Sequence, residues 1–152
     1  MENSEERKNM NKKTVEMEDR RAKLSTLWIF AMFNYLYADV VTLMDPVRLK
    51  ELMTGYAGPF YITQGFLLGS AILMETAIAM VLLSRVLKYR ANRWANIIVG
   101  AMHTAVPLVS MFVVAPVLYN IFFITIEIAC TSLIVWYAWT WPNPGSSFNN
   151  KI

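Results

Sequence analysis

The sequence predicts an all-α membrane protein, a four-transmembrane-helix antiparallel bundle with both termini cytoplasmic. Three observations lead there. Of the 152 residues, 56% are hydrophobic and only 16% charged. Four apolar runs each reach about 20 residues, the length an α-helix needs to cross a bilayer. Eleven of the fourteen Lys and Arg residues flank those runs on one side of the implied membrane, seven before the first run and four between the second and third. Basic segments stay cytoplasmic, so both ends of the chain are expected there, in the cell inner (plasma) membrane.

The same placement accounts for the net charge of +3 without a nucleic-acid partner. Cys130 is the lone cysteine, which excludes an intrachain disulfide and a thiolate zinc cluster. Inside an apolar run it reads as a small packing residue.

Residues 1–23 form a charged cytosolic tail in which six acids alternate with seven bases. Such a segment buries too little apolar area to fold alone, and a transient surface helix is its expected limit. It is not a secretory signal, since the charged region is long and the following run is of spanning length. The transmembrane domain covers 24–141, with spans at about 24–44, 63–84, 94–115 and 118–141. A cytosolic C-terminal tail, 142–152, closes the chain.

In the first span Ser25 is a candidate N-cap. Tyr35 and Asp39 stand four apart on one face, so the phenol can donate to the carboxylate. Asn34 and Tyr37 lie on another flank. Asp45-Pro46 stops this helix. In the loop that follows, VRLKELM reads as a short amphipathic helix at the interface, with Tyr56 and Tyr61 as anchors. Gly65 and Gly69 in the second span make a small-xxx-small packing motif, frequent by chance.

The loop RVLKYRANR, residues 85–93, carries four bases and no acid. In the third span Asn96, Gly100, His103, Pro107 and Ser110 recur at spacings of three and four and form one stripe. Ala115-Pro116 is a very short connection, which makes the third and fourth spans antiparallel neighbours. The fourth span puts Asn120, Glu127 and Thr131 on one face. Trp28, Trp94, Trp136, Trp139 and Trp141 all fall at the expected cytoplasmic ends, an aromatic belt on one side.

Glu75 sits near the middle of the second span, where an ionisable group is costly and is normally turned inward and paired. Counting ~1.5 Å per residue from the outer helix ends puts Glu75, His103, Glu127 and Asn34 at ~14 to ~18 Å depth, and Asp39 at ~8 Å. Polar groups from four helices thus share one layer. Each alone has a plainer explanation: a hydrogen-bonded packing histidine, a bridging asparagine, a protonated carboxyl. Two carboxyls and an imidazole together are harder to explain by packing, at about 2 to 3.5 kcal/mol each on insertion scales.

Such a layer suits proton relay, capture of a cationic amphiphile, or acid–base work by Glu75, Glu127, His103 and Asp39 on an apolar substrate. Asn34, Tyr35, Tyr37, Asn96, Asn120 and Thr131 are candidate ligand contacts. No Glu-x-x-His pair supports a di-metal site, and no phosphate loop or nucleophile motif occurs; no metal and no cofactor is expected.

LSTLWIFAMFNYLYADVVTLMDP, GSAILMETAIAMVLLSRVL and the Asn96–His103 stripe resemble an uncharacterised bacterial family of small four-span membrane proteins. The likeness covers roughly 24–141, and that family is more distantly similar to DoxX-like four-helix membrane proteins. The resemblance implies fold and location and carries no activity. Three functional readings stand: a site that binds or transports a lipophilic or cationic small molecule or relays protons; an acid–base enzyme acting on an isoprenoid or quinone-like substrate; and a structural accessory subunit. Expected partners are the lipid bilayer and that small molecule, with a homo-oligomer left open.

Overall fold

The structure, a computed structural model, describes residues 2–114 and 117–142. Helix α1 (Glu2–Met44) runs without a break. Neither glycine nor proline occurs between 2 and 44, and Lys23 pairs with Asp19 at 2.7 Å across one turn. The charged tail is therefore one helix with the first span, more ordered than expected. Ser25 is no N-cap: it lies mid-helix and donates to the Val81 carbonyl at 2.9 Å.

Asp45 ends α1 and starts α2 (Pro46–Met53), its carboxylate accepting from the Val47 N–H at 2.9 Å. Pro46 occupies the first turn, where a missing donor costs nothing. No residue of α2 is buried. The strands β1 (Tyr56–Ala57) and β2 (Phe60–Tyr61) pair antiparallel, Tyr56 facing Tyr61. The turn between them needs Gly58, whose φ of +59° is costly for a side-chain-bearing residue.

Helix α3 (Gln64–Val86) is capped by Thr63, whose hydroxyl accepts from the Phe66 N–H at 3.1 Å. Helix α4 (Tyr89–Val113) begins four residues inside the expected basic loop, since nothing between Tyr89 and Arg93 breaks a helix. Helix α5 (Leu118–Trp139) completes the fold. The apolar part of α1, with α3, α4 and α5, gives four helices long and apolar enough to cross a membrane. The Ala115–Pro116 connection and the tail beyond Pro142 lie outside the described residues.

The core gathers at one end of the bundle. Leu24, Trp28 and Ala31 of α1 meet Ala77 and Met80 of α3, Cys130 and Ile134 of α5, and Trp141. Close packing there depends on Gly100, where an added Cβ would stand 2.9 Å from Val135 Cγ2. At the other end α3 is bare: every residue from 64 to 72 is exposed. The bundle is tight at one end and open at the other. Trp28 departs from the expected belt, being wholly buried, as is nearly all of Trp141, while Trp94, Trp136 and Trp139 are exposed.

Candidate functional site

The α4 stripe decides where polar groups go. Asn92, Asn96, Gly100, His103 and Pro107 are its buried residues, at spacings of three and four. At the tight end the two asparagines build a dry network. Asn96 Oδ1 accepts from Trp28 Nε1–H at 2.8 Å and from the Ser84 hydroxyl at 3.2 Å. Asn96 Nδ2 donates to Asn92 at 2.9 Å (carbonyl) and 2.7 Å (Oδ1), and Asn92 Nδ2 donates to the Ser84 carbonyl at 2.6 Å. All four side chains are fully buried.

Above this network sits His103, 4% exposed. Trp28 meets its ring edge-on at 5.5 Å, and Tyr35 stacks on it at 5.6 Å. Nε2 lies 3.0 Å from the Thr76 hydroxyl, which spends its own proton on the Leu73 carbonyl at 2.6 Å. With the hydroxyl donating to Leu73 it accepts from His103, the pairing that places the imidazole hydrogen on Nε2.

His103 forms the floor of a cavity of about 300 Å³. Tyr35 and Asp39 of α1, Ser70 and Met74 of α3, Pro107 and Ser110 of α4, and Glu127 of α5 line it. Glu127 is 8% exposed and accepts no hydrogen bond through its carboxyl among the described residues. The Tyr35 hydroxyl is buried and has no partner among the described residues, so the expected Tyr35–Asp39 bond is absent. Among the described residues no Lys or Arg lines the space. Among the described residues no three His, Cys, Asp or Glu side chains are placed to hold a metal.

Of the acid–base candidates, Asp39, His103 and Glu127 come together around this cavity, and Glu75 does not. Glu75 is exposed on the outer face of α3 and contributes nothing to the lining. The residues α3 turns inward are Ala77, Met80 and Ser84, small or flexible side chains that let it approach α1. Its rotation follows packing and leaves the acid outside.

The ligand candidates divide as well. Tyr35 lines the cavity, whereas Asn34 donates to the Phe123 carbonyl at 3.4 Å and exposed Tyr37 leans edge-on against Phe123 at 5.7 Å. Asn96 is saturated by the network. Thr131 donates to the Glu127 carbonyl at 2.8 Å, and its oxygen lies 2.8 Å from the Thr104 hydroxyl. Asn120, half-buried in the first turn of α5, is outside the lining. Asn92, Ser84 and Ser70 were not expected from the sequence. Asn92 carries a legible signal, standing one turn before Asn96 on the same stripe; the two serines carry none.

Comparison with curated proteins and with solved structures gives no match. A family model does match, over residues 12–146, nearly the whole chain, and the protein belongs to that family, DUF6326, a family of unknown function.

Proposed function

We propose that the protein is a four-span membrane protein whose interior cavity binds a cationic, lipophilic small molecule. The four helices of spanning length support the membrane setting. The antiparallel arrangement is supported by residue pairs that run in opposite senses: Ser25 with Val81 while Tyr35 and Asp39 share a cavity with Ser70, and Arg93 with Trp139 while Thr104 meets Thr131. The basic segments argue for both termini in the cytoplasm, in the inner (plasma) membrane. Kinship with DoxX-like four-helix membrane proteins belongs to the same proposal.

One observation carries the ligand class. Two carboxyl groups and a buried phenol line a cavity where, among the described residues, the phenol has no hydrogen-bond partner and no cationic side chain takes part. Glu127 is buried and calls for a positive partner, which a cationic ligand would supply, and the exposed carboxyl of Asp39 lies in the same lining. The Tyr35 ring, stacked on His103, lines the same cavity, and an aromatic ring beside an ammonium group adds attraction.

The test is binding of radiolabelled benzyltrimethylammonium to the protein in lipid nanodiscs. Glu127→Gln is expected to weaken binding at least tenfold, the lower end of what losing one member of a desolvated charge pair costs, and Asp39→Asn, at an exposed position, to weaken it less. Wild-type protein that retains no more label than protein-free nanodiscs would refute the reading.

A further inference from the structure

We infer that the ligand is a single-chain amphiphile: its cationic head occupies the cavity, and its tail lies in a groove between α1 and α3 that opens toward the lipid. This rests on the cavity reading and adds the shape of the molecule and its route. The groove holds about 460 Å³ and is bounded by apolar side chains, with Ile29 and Leu36 on α1 and Ile78 and Leu82 on α3. Asp39 and Met74 line both this groove and the cavity, so the two spaces meet at those side chains. Among the described residues Asp39 is the single ionisable one in the groove's lining, and it stands at the end next to the cavity.

Direction matters as much as contact. From Asp39 the groove runs back along α1 to Ile29, ten residues or about 15 Å at 1.5 Å per residue. That path leads from the open end of the bundle toward the tight end, the course a lipid tail takes inward from its headgroup. A molecule resident in the leaflet at the open end of the bundle would slide between α1 and α3 sideways. Its ammonium would pass Asp39, reach Glu127 and the Tyr35 ring, and leave its chain in the groove. The bare first turns of α3, all exposed from 64 to 72, leave this side of the bundle unobstructed. Met74 at the junction has a flexible, unbranched side chain that can swing aside without breaking a hydrogen bond.

The experiment measures displacement of radiolabelled benzyltrimethylammonium, which has a head and no chain, by butyl-, octyl-, dodecyl- and hexadecyltrimethylammonium in nanodiscs. Three proteins are compared: wild type, Ile78→Trp, which fills the groove, and Ile72→Trp, which adds the same bulk to an exposed α3 position outside it. Partitioning into the bilayer is common to all three and cancels in the ratio. Dodecyltrimethylammonium is expected to displace the label from wild type and Ile72→Trp at least tenfold better than from Ile78→Trp, while butyltrimethylammonium treats the three alike. The gain should level off once the chain outgrows the groove. If label binds but Ile78→Trp responds to chain length as wild type does, the groove assignment is wrong and the cavity reading stands. If label binds none of the three, both fall.

Discussion

Replacing Asn96 by leucine keeps the volume of a fully buried residue and deletes every hydrogen bond it makes. Three neighbours lose a partner: Trp28 Nε1–H, the Ser84 hydroxyl and Asn92 Oδ1. In a water-free core an orphaned polar group costs about 1 to 3 kcal/mol, but interhelical bonds in membranes average about 0.6 kcal/mol because the unfolded, inserted helices find other partners. The second figure applies to the two interhelical bonds, from Trp28 and Ser84, and together they predict a loss of about 1 kcal/mol. Trp28→Phe removes one donor and leaves Ser84 on Asn96, so its hydrogen-bond cost is about 0.6 kcal/mol before lost packing is added. The Trp28–Asn96 bond cannot be lost twice, so the double variant should cost less than the sum by at least about 0.5 kcal/mol. Reversible unfolding in mixed detergent micelles, followed by far-ultraviolet circular dichroism, measures all four corners of this cycle. A leucine variant within about 0.5 kcal/mol of wild type, or a strictly additive double variant, would refute the network as a determinant of stability.

At Gly100 a methyl group would meet Val135 Cγ2 at 2.9 Å, and because that is the end of a side chain it can yield. Gly100→Ala should therefore cost about 1 kcal/mol in thermal unfolding, Gly100→Leu up to about 3, and Val135→Ala should restore the alanine variant. Asp45 caps α2 and accepts from Tyr119 at 3.1 Å; its backbone bond to Val47, then the Tyr119 contact, hold its carboxyl below the usual 3.8. With the folded value depressed, its contribution is complete above the unfolded value and disappears as pH falls through the folded one. Protease cleavage in the α2 segment should rise in that acidic window, and Asp45→Asn should flatten the response. Glu75 stands outside the cavity, so Glu75→Gln should leave benzyltrimethylammonium affinity within about twofold of wild type, against at least tenfold loss for Glu127→Gln. Equal losses in the two variants would contradict their placement.

The contrast between Glu75 and His103 shows what a sequence of this kind can convey. Spanning length, span number and the course of the chain are legible because a bilayer imposes them one helix at a time. How a helix is rotated is a different quantity. In water the apolar face turns inward, but in lipid an apolar face suits either direction, and only packing or polar contact chooses. On α4 polar and small residues repeat at three and four from Asn92 to Ser110, and this repetition marks one face; the buried residues follow it. On α5 Glu127 and Thr131 do the same across a single turn, and both are buried. Helix α3 has no such repeat. Its inward face is set by the fit of Ala77, Met80 and Ser84 against α1, which hydropathy does not distinguish from the face opposite. The cost of a buried acid was the argument for turning Glu75 inward, and one residue's cost of a few kcal/mol is outweighed by the packing of a whole helix face. A polar stripe therefore specifies rotation where a lone acid does not: Tyr35 with Asp39, His103 with Ser110, and Glu127 beside Thr131 mark the inward faces of α1, α4 and α5, while α3 reaches the cavity with Ser70 and Met74 through packing alone.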